Sequence, residues 1–476
     1  MNFPKIASLN TPSKFAAHLQ TLGWDIPFDS DLDSSELAPL AQPIKFASRR
    51  IGNRFCILPM EGWDATREGA PSELTQRRWR RFGASGAKLI WGGEAVAVRS
   101  DGRANPHQLL ISEANLPSFS NLRVELVNAH REKFGQVDDL FIGLQLTHSG
   151  RFSRPDSDGR LRPVIAYRHP HLDALVKLKE GGFECYSDSE IRLLIKDFVA
   201  AAALTERAGF DFVDIKHCHG YFGHELLSAY QRQGEFGGSF ENRTRFLREI
   251  VSGIRAVTRQ LEIGVRLSVF DFSPFVKLDD PDQNFDVKDF SVRYFGAGVG
   301  GRDVDLSEPL KFVALLNELG IKLICTTAGS PYYCPHIQRP AQFPPSDGYA
   351  PPEDPLVGVA RQVEVTAKLK QAFPQMTFVG SGYSYLQEWL PNVGQALIRL
   401  NQVDSIGLGR MALSYPELPR DVLQGSGLKR KKICRTFSDC TTAPRQGMVS
   451  GCFPLDEFYR QMPERGKLVE LRRARK

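Results

Sequence analysis

The chain has 476 residues, 42% of them hydrophobic and 24% charged, with a net charge of +6. That length holds one large domain or two ordinary ones, and so small a charge excess gives no case for nucleic-acid binding. No apolar run approaches the ~20 residues of a membrane helix, and the start, Met-Asn-Phe-Pro-Lys-Ile-Ala-Ser, lacks the apolar centre of a secretion signal; a soluble, cytoplasmic protein with no membrane partner is expected.

Residues 1 to about 40 read as an N-terminal arm, with a short helix opened by Thr11-Pro12-Ser13 and ended near Gly23. Eight candidate strands follow, near residues 54–59, 89–94, 140–146, 212–216, 263–267, 321–326, 377–380 and 405–409. Helical patterns separate several of them. Ser187-Asp188-Ser189-Glu190 opens one with a capping box, and Leu193, Leu194, Phe198, Ala201 and Ala202 follow at helical spacing. Asn242 to Val257 is a second, with Phe246, Ile250, Val251 and Ile254 on one face. Such alternation predicts an α/β fold, a (β/α)8 TIM barrel over residues 41–420, with the arm before it and a C-terminal extension over 421–476.

Two stretches, about 270–310 and 328–356, are too long for plain barrel turns and are rich in Pro, Gly and Asp, as in Pro281-Asp282-Gln283-Asn284. They follow the fifth and sixth strands, so they are expected over the carboxyl face, where loops shape a pocket. The basic runs at Lys429-Arg430-Lys431-Lys432 and Arg472-Arg473-Ala474-Arg475-Lys476 read as solvated surface. The eight cysteines are scattered along the chain and make no disulfide framework.

The most telling segment is Phe212-Val213-Asp214-Ile215-Lys216-His217-Cys218-His219-Gly220-Tyr221. A buried strand ends in four groups able to carry charge or protons. In a TIM barrel the carboxyl ends of the strands carry the site. A lone histidine there would read as loop polarity; four ionisable groups in six residues read as chemistry. His217 should point away from the others, because side chains alternate along a strand.

This cluster, with Gln145-Leu146-Thr147-His148-Ser149-Gly150-Arg151, Tyr230 and Gly237-Gly238-Ser239-Phe240-Glu241-Asn242-Arg243, resembles the Old Yellow Enzyme family of FMN-dependent oxidoreductases over roughly residues 40 to 420. The resemblance implies noncovalent FMN reduced by NADH or NADPH, and a small-molecule oxidant with an activated double bond, such as an enone. Pro59, Met60 and Glu61 would lie against the flavin ring, Gly93 would let it approach closely, and Gln145 would bond its pyrimidine edge. Arg266 would face N1 and the C2 carbonyl and favour the anionic reduced ring; as a strand-end arginine in an apolar barrel it needs a buried partner in any case. Ser381, Gly382, Gly409 and Arg410, after the last two strands, would take the phosphate.

Lys216, His219 and Tyr221 stand at the family's substrate positions, where lysine replaces the usual first histidine. Lys216 and His219 would hold the electron-withdrawing group, and Tyr221 would donate the proton. Glu61 is a second departure, since relatives often place Thr or Cys there; it is expected either turned outward or paired with a cation. Cys434, Cys440 and Cys452 resemble part of the iron–sulfur segment of the dienoyl-CoA reductase and trimethylamine dehydrogenase branch, yet no Cys-x-x-Cys exists in the chain. The expectation is therefore no cluster and no metal. Three other readings stay open: dehydrogenation of an amine-like donor, a flavin-binding barrel without catalysis, and a barrel for a phosphorylated metabolite. Self-association into a homo-oligomer also stays open.

Overall fold

Eight short buried runs become parallel strands that close on themselves in the computed structural model, which describes residues 3–178, 184–275, 292–346 and 348–473. In chain order they are β1 (Phe55–Ile57), β2 (Leu89–Ile90, resumed at Ala95–Ala97), β3 (Phe141–Thr147), β4 (Phe212–Ile215), β5 (Glu262–Ser268), β6 (Leu323–Thr327), β7 (Thr377–Gly380) and β8 (Ser405–Leu408). Each pairs with its neighbours in sequence, and closure comes from Ile406 of β8 opposite Phe55 of β1. The (β/α)8 reading is correct. Every expected strand is present, with ends shifted by at most three residues. Only β2 breaks, because Gly92 and Gly93 take φ of +89° and +54° and Glu94 turns its carboxylate to Arg78.

Alternation along the strands divides the interior into two levels. Leu89, Trp91, Phe141, Phe212, Leu323 and Val379 fill the amino-terminal level, where a hairpin (Ile44–Phe46 paired with Arg49–Ile51) adds Ile44, Phe46 and Ile51 as a plug. Four residues beyond Phe141 and Phe212, the same inward face carries Gln145 and Lys216. The apolar plug makes the carboxyl level the open end, and it is polar.

Helices flank the barrel where the sequence predicts them. Asp188–Arg207 starts with the full capping box, Ser187 Oγ accepting from Glu190 N and Glu190 accepting from Ser187 N. The second predicted helix begins slightly earlier, at Phe240, capped by Ser239. The arm's helix, Pro12–Thr21, docks by stacking Phe15 on Trp389 at 4.8 Å. No described helix is long and apolar enough to cross a membrane. The Pro281-Asp282-Gln283-Asn284 part of the fifth loop, and the end of the basic tail at Ala474-Arg475-Lys476, lie outside the described residues.

Candidate active site

A cavity of about 230 Å³ opens at the carboxyl end of the barrel. Twelve of the thirteen residues expected from sequence line it: Pro59, Met60, Glu61, Gln145, Lys216, His219, Tyr221, Arg266, Ser381, Gly382, Gly409 and Arg410. These come from the ends of β1, β3, β4, β5, β7 and β8, so the segments that bring them together are the strand ends themselves.

Gly93 is the exception. It does not border the cavity; a Cβ at this position would meet the buried Trp79 ring at 2.6 Å. The packing of Trp79 and the positive φ both favour glycine here. Its carbonyl does contribute indirectly, accepting from Met60 N at 2.7 Å and so holding the end of β1.

At the cavity floor Asp214 organises three neighbours. It accepts from Gln145 Nε2 at 2.5 Å, Trp91 Nε1 at 2.7 Å and the backbone N–H of Arg266 at 2.6 Å. The sequence displayed this aspartate but assigned it no task; its position inside β4, two residues before Lys216, is the signal that it faces the same way. Burial raises its pKa, against these hydrogen bonds and the Arg266 charge. Arg266 is buried, and its Nε has no hydrogen-bond partner among the described residues.

The residues after the last two strands show a similar pattern. Ser381, Gly382, Gly409 and Arg410 gather in one cradle. Arg410 Nη2 donates to Pro340 O at 2.7 Å, while its Nη1 is buried without a partner among the described residues. Gly382 is left-handed, at φ +88°. Two buried guanidinium groups that line one cavity each leave one nitrogen without a partner among the described residues, and an anionic ligand group would satisfy them. A flavin with a negative ring edge and a phosphate tail meets both needs. FMN therefore fits the residues present.

The β4 cluster forms the remaining wall. Lys216 is 4% exposed, its Nζ stands 3.7 Å from Glu61 Oε1 and 3.8 Å over the centre of the Tyr221 ring. Glu61 is thus paired with a cation rather than turned outward. Burial lowers the Lys216 pKa, and Glu61 is the leading influence against that shift. His219 sits at φ +67°, an uncommon conformation for a residue with a Cβ. Its Nε2 is 3.1 Å from Gln338 Nε2 and 3.4 Å from Thr327 Oγ1. Burial, then the charges of Arg266 and Lys216, push its pKa well below the usual range, so the ring is neutral at pH 7. The Tyr221 hydroxyl lies 2.9 Å from that of Tyr332, and burial raises its pKa first, Glu61 next. Both phenols keep their protons at neutral pH. His217 points away as expected, against Phe246 and Phe312.

Sequence reasoning missed two contributors. Tyr332, Gln338 and Arg339 reach the cavity from the loop after β6. That loop was expected there, but irregular backbone gives no register from which to pick residues. By contrast, no described residue of the 270–310 stretch lines the cavity. The C-terminal extension contributes Cys440, Thr441, Pro444, Arg445 and Ser450 to the cavity wall. Its three cysteines are free thiols that influence one another's ionisation.

The arginines that end the Gln145–Arg151 and Gly237–Arg243 motifs are held in ion pairs. Arg243 of the Gly-Gly-Ser-x-Glu-Asn-Arg element pairs with Glu308 and lies 3.9 Å over the Tyr230 ring. Arg151 is buried between Asp173 and Glu225.

Residues 39–293 match the NADH:flavin oxidoreductase / NADH oxidase family. The chain belongs to that family. It is accordingly an FMN-dependent oxidoreductase with NADH or NADPH as reductant. An NADPH dehydrogenase of Bacillus subtilis (strain 168) is 26% identical over 297 residues, 61% of this chain and 73% of its own. That of Bacillus pumilus (strain SAFR-032) is 26% identical over 377 residues, 78% and 90%. Among solved structures, an old yellow enzyme homologue of Zymomonas mobilis superposes with a TM-score of 0.56 at 20% identity, covering 82% of this chain and 94% of its own. A 2-naphthoyl-CoA reductase gives 0.63 at 17% identity; the match covers 90% of this chain but only 57% of the reductase. At these identities the structures attest the fold.

Proposed function

We propose that this oxidoreductase reduces an activated carbon–carbon double bond, of the enone class, at the wall formed by Lys216, His219 and Tyr221. The observation that carries this reading is the placement of Lys216 Nζ 3.8 Å from the centre of the ring of Tyr221, a protonated phenol, with both residues lining the cavity. Bound FMN would supply hydride chemistry, taking two electrons from the nicotinamide and giving them to the oxidant.

The chain's own residues supply the rest. Arg266 and Gln145 would hold the pyrimidine edge, and Ser381, Gly382, Gly409 and Arg410 the phosphate. Lys216 Nζ and the neutral His219 ring would bond the substrate carbonyl, where negative charge grows during the reaction. Tyr221 Oη would release its proton to the α carbon. Burial of the wall excludes water from competing for that carbon. The eight free thiols suit a reducing compartment, which supports a cytoplasmic location.

Anaerobic reoxidation tests the reading. Protein bleached by one equivalent of NADPH should regain its colour on adding 2-cyclohexenone, with one equivalent of cyclohexanone formed. No reoxidation by enones, together with bleaching of the oxidised protein by an amine, would reverse the direction of the reaction.

A further inference from the structure

The two positions at which the cavity departs from the family pattern are the two that touch. Lys216 and Glu61 are the two departures from the pattern that the resemblance implies. Their side chains meet at 3.7 Å inside the cavity. A lone lysine buried to this degree tends to lose its proton, because low-polarity surroundings penalise the ammonium. A lone carboxylate beside a flavin would oppose negative charge on the ring. Together they are neutral overall and each favours the other's charged form.

We propose that Glu61 is a positioning residue that keeps Lys216 protonated, so that the ammonium over the Tyr221 ring offsets the charge left there when Tyr221 gives up its proton. The inference rests on the reading of Tyr221 as donor. In that step the π bond between the α and β carbons and the Tyr221 O–H bond break; the hydride equivalent that the nicotinamide supplied forms the C–H bond at the β carbon, and the proton forms that at the α carbon. The phenolate then recovers its proton from water. Without Lys216 its neighbours are the Tyr332 hydroxyl, 2.9 Å away, the Ser149 hydroxyl and the like charge of Glu61.

The groups around Lys216 make Glu61 the deciding one. Arg266, from β5, disfavours the ammonium. Asp214 and Cys218, from its own strand and the residues after it, favour it, but Asp214 is already committed to Gln145, Trp91 and Arg266. His219 is neutral, and Tyr221 offers its ring face. Glu61, from the end of β1, is the carboxylate in ion-pair reach of Nζ among the described residues.

The sign of the test follows. Glu61 raises the Lys216 pKa, so Glu61→Gln lowers it, and the ammonium is lost at a lower pH. In cofactor-free protein carrying ¹³C-lysine, the Lys216 Cε resonance (assigned by its absence from Lys216→Met) should titrate about 1–3 pH units lower in Glu61→Gln. Glu61→Asp should restore most of the difference. With FMN bound, the alkaline limb of enone reduction should move down by the same amount, and Glu61→Gln should have no further effect in a Lys216→Met background. A Lys216 titration unchanged by Glu61→Gln overturns the proposal, as does an equal loss of rate in the Lys216→Met background. Failure of the donor reading looks different: wild type and Tyr221→Phe would reduce the enone at equal rates, which overturns both.

Discussion

Tyr221→Phe slows the oxidative half-reaction with an enone by about 10²–10⁴-fold, the usual worth of a positioned general acid, and leaves reduction by NADPH within about twofold. The asymmetry is the informative part. The phenylalanine keeps the ring beneath Lys216 Nζ and fills the same volume, so the wall is preserved. What disappears is the Tyr221 hydroxyl, which lines the cavity and lies 2.9 Å from that of Tyr332. Reduction by a nicotinamide needs no proton from this wall. Stopped-flow absorbance of the two half-reactions separates them; equal slowing of both would mean that Tyr221 shapes the cavity rather than donates.

Arg266→Lys is expected to lower the rate of reduction by NADPH by about 10²–10³-fold, comparable with removing one preorganised donor of a developing negative charge. Lysine keeps the formal charge, but loses the planar fork and the Nε–H, which has no hydrogen-bond partner among the described residues. It is also a group that sheds its proton when buried, and Lys216 lies close enough to oppose its charge. The backbone N–H of residue 266 still donates to Asp214, so β5 stays in place. Rapid-mixing measurement of flavin bleaching checks the rate, and a potentiometric titration should show a more negative midpoint than in wild type. An unchanged midpoint would place the guanidinium away from the ring.

Much of this site was legible because it lies on strand ends. A strand fixes direction by alternation: once Phe212 and Asp214 are inward, Lys216 is inward and His217 is not. The same rule places Gln145 after Phe141 and Arg266 after Gly264. The fold was legible for the same reason, each strand being an apolar run closed by glycine or polar residues. Three things were hidden. Gly93 serves Trp79, a tertiary contact 14 positions away that no local pattern reports. Tyr332 lies on a loop without periodicity. The extension residues Cys440 to Ser450 return to the barrel mouth from beyond its last strand, and only the closed structure shows that they share a wall with β4.

The central claim is that this cavity holds FMN with its phosphate in the cradle of Ser381, Gly382, Gly409 and Arg410. Fluorescence titration of the cofactor-free protein with FMN and with riboflavin tests it most directly, because the two ligands differ only in the phosphate. Each charge-assisted hydrogen bond contributes about 1.5–3 kcal/mol, so FMN should bind at least about tenfold more tightly, and Arg410→Met should remove most of that preference. Equal affinity for the two ligands would contradict the assignment of the phosphate end and, with it, the orientation of the ring beneath Lys216 and Tyr221.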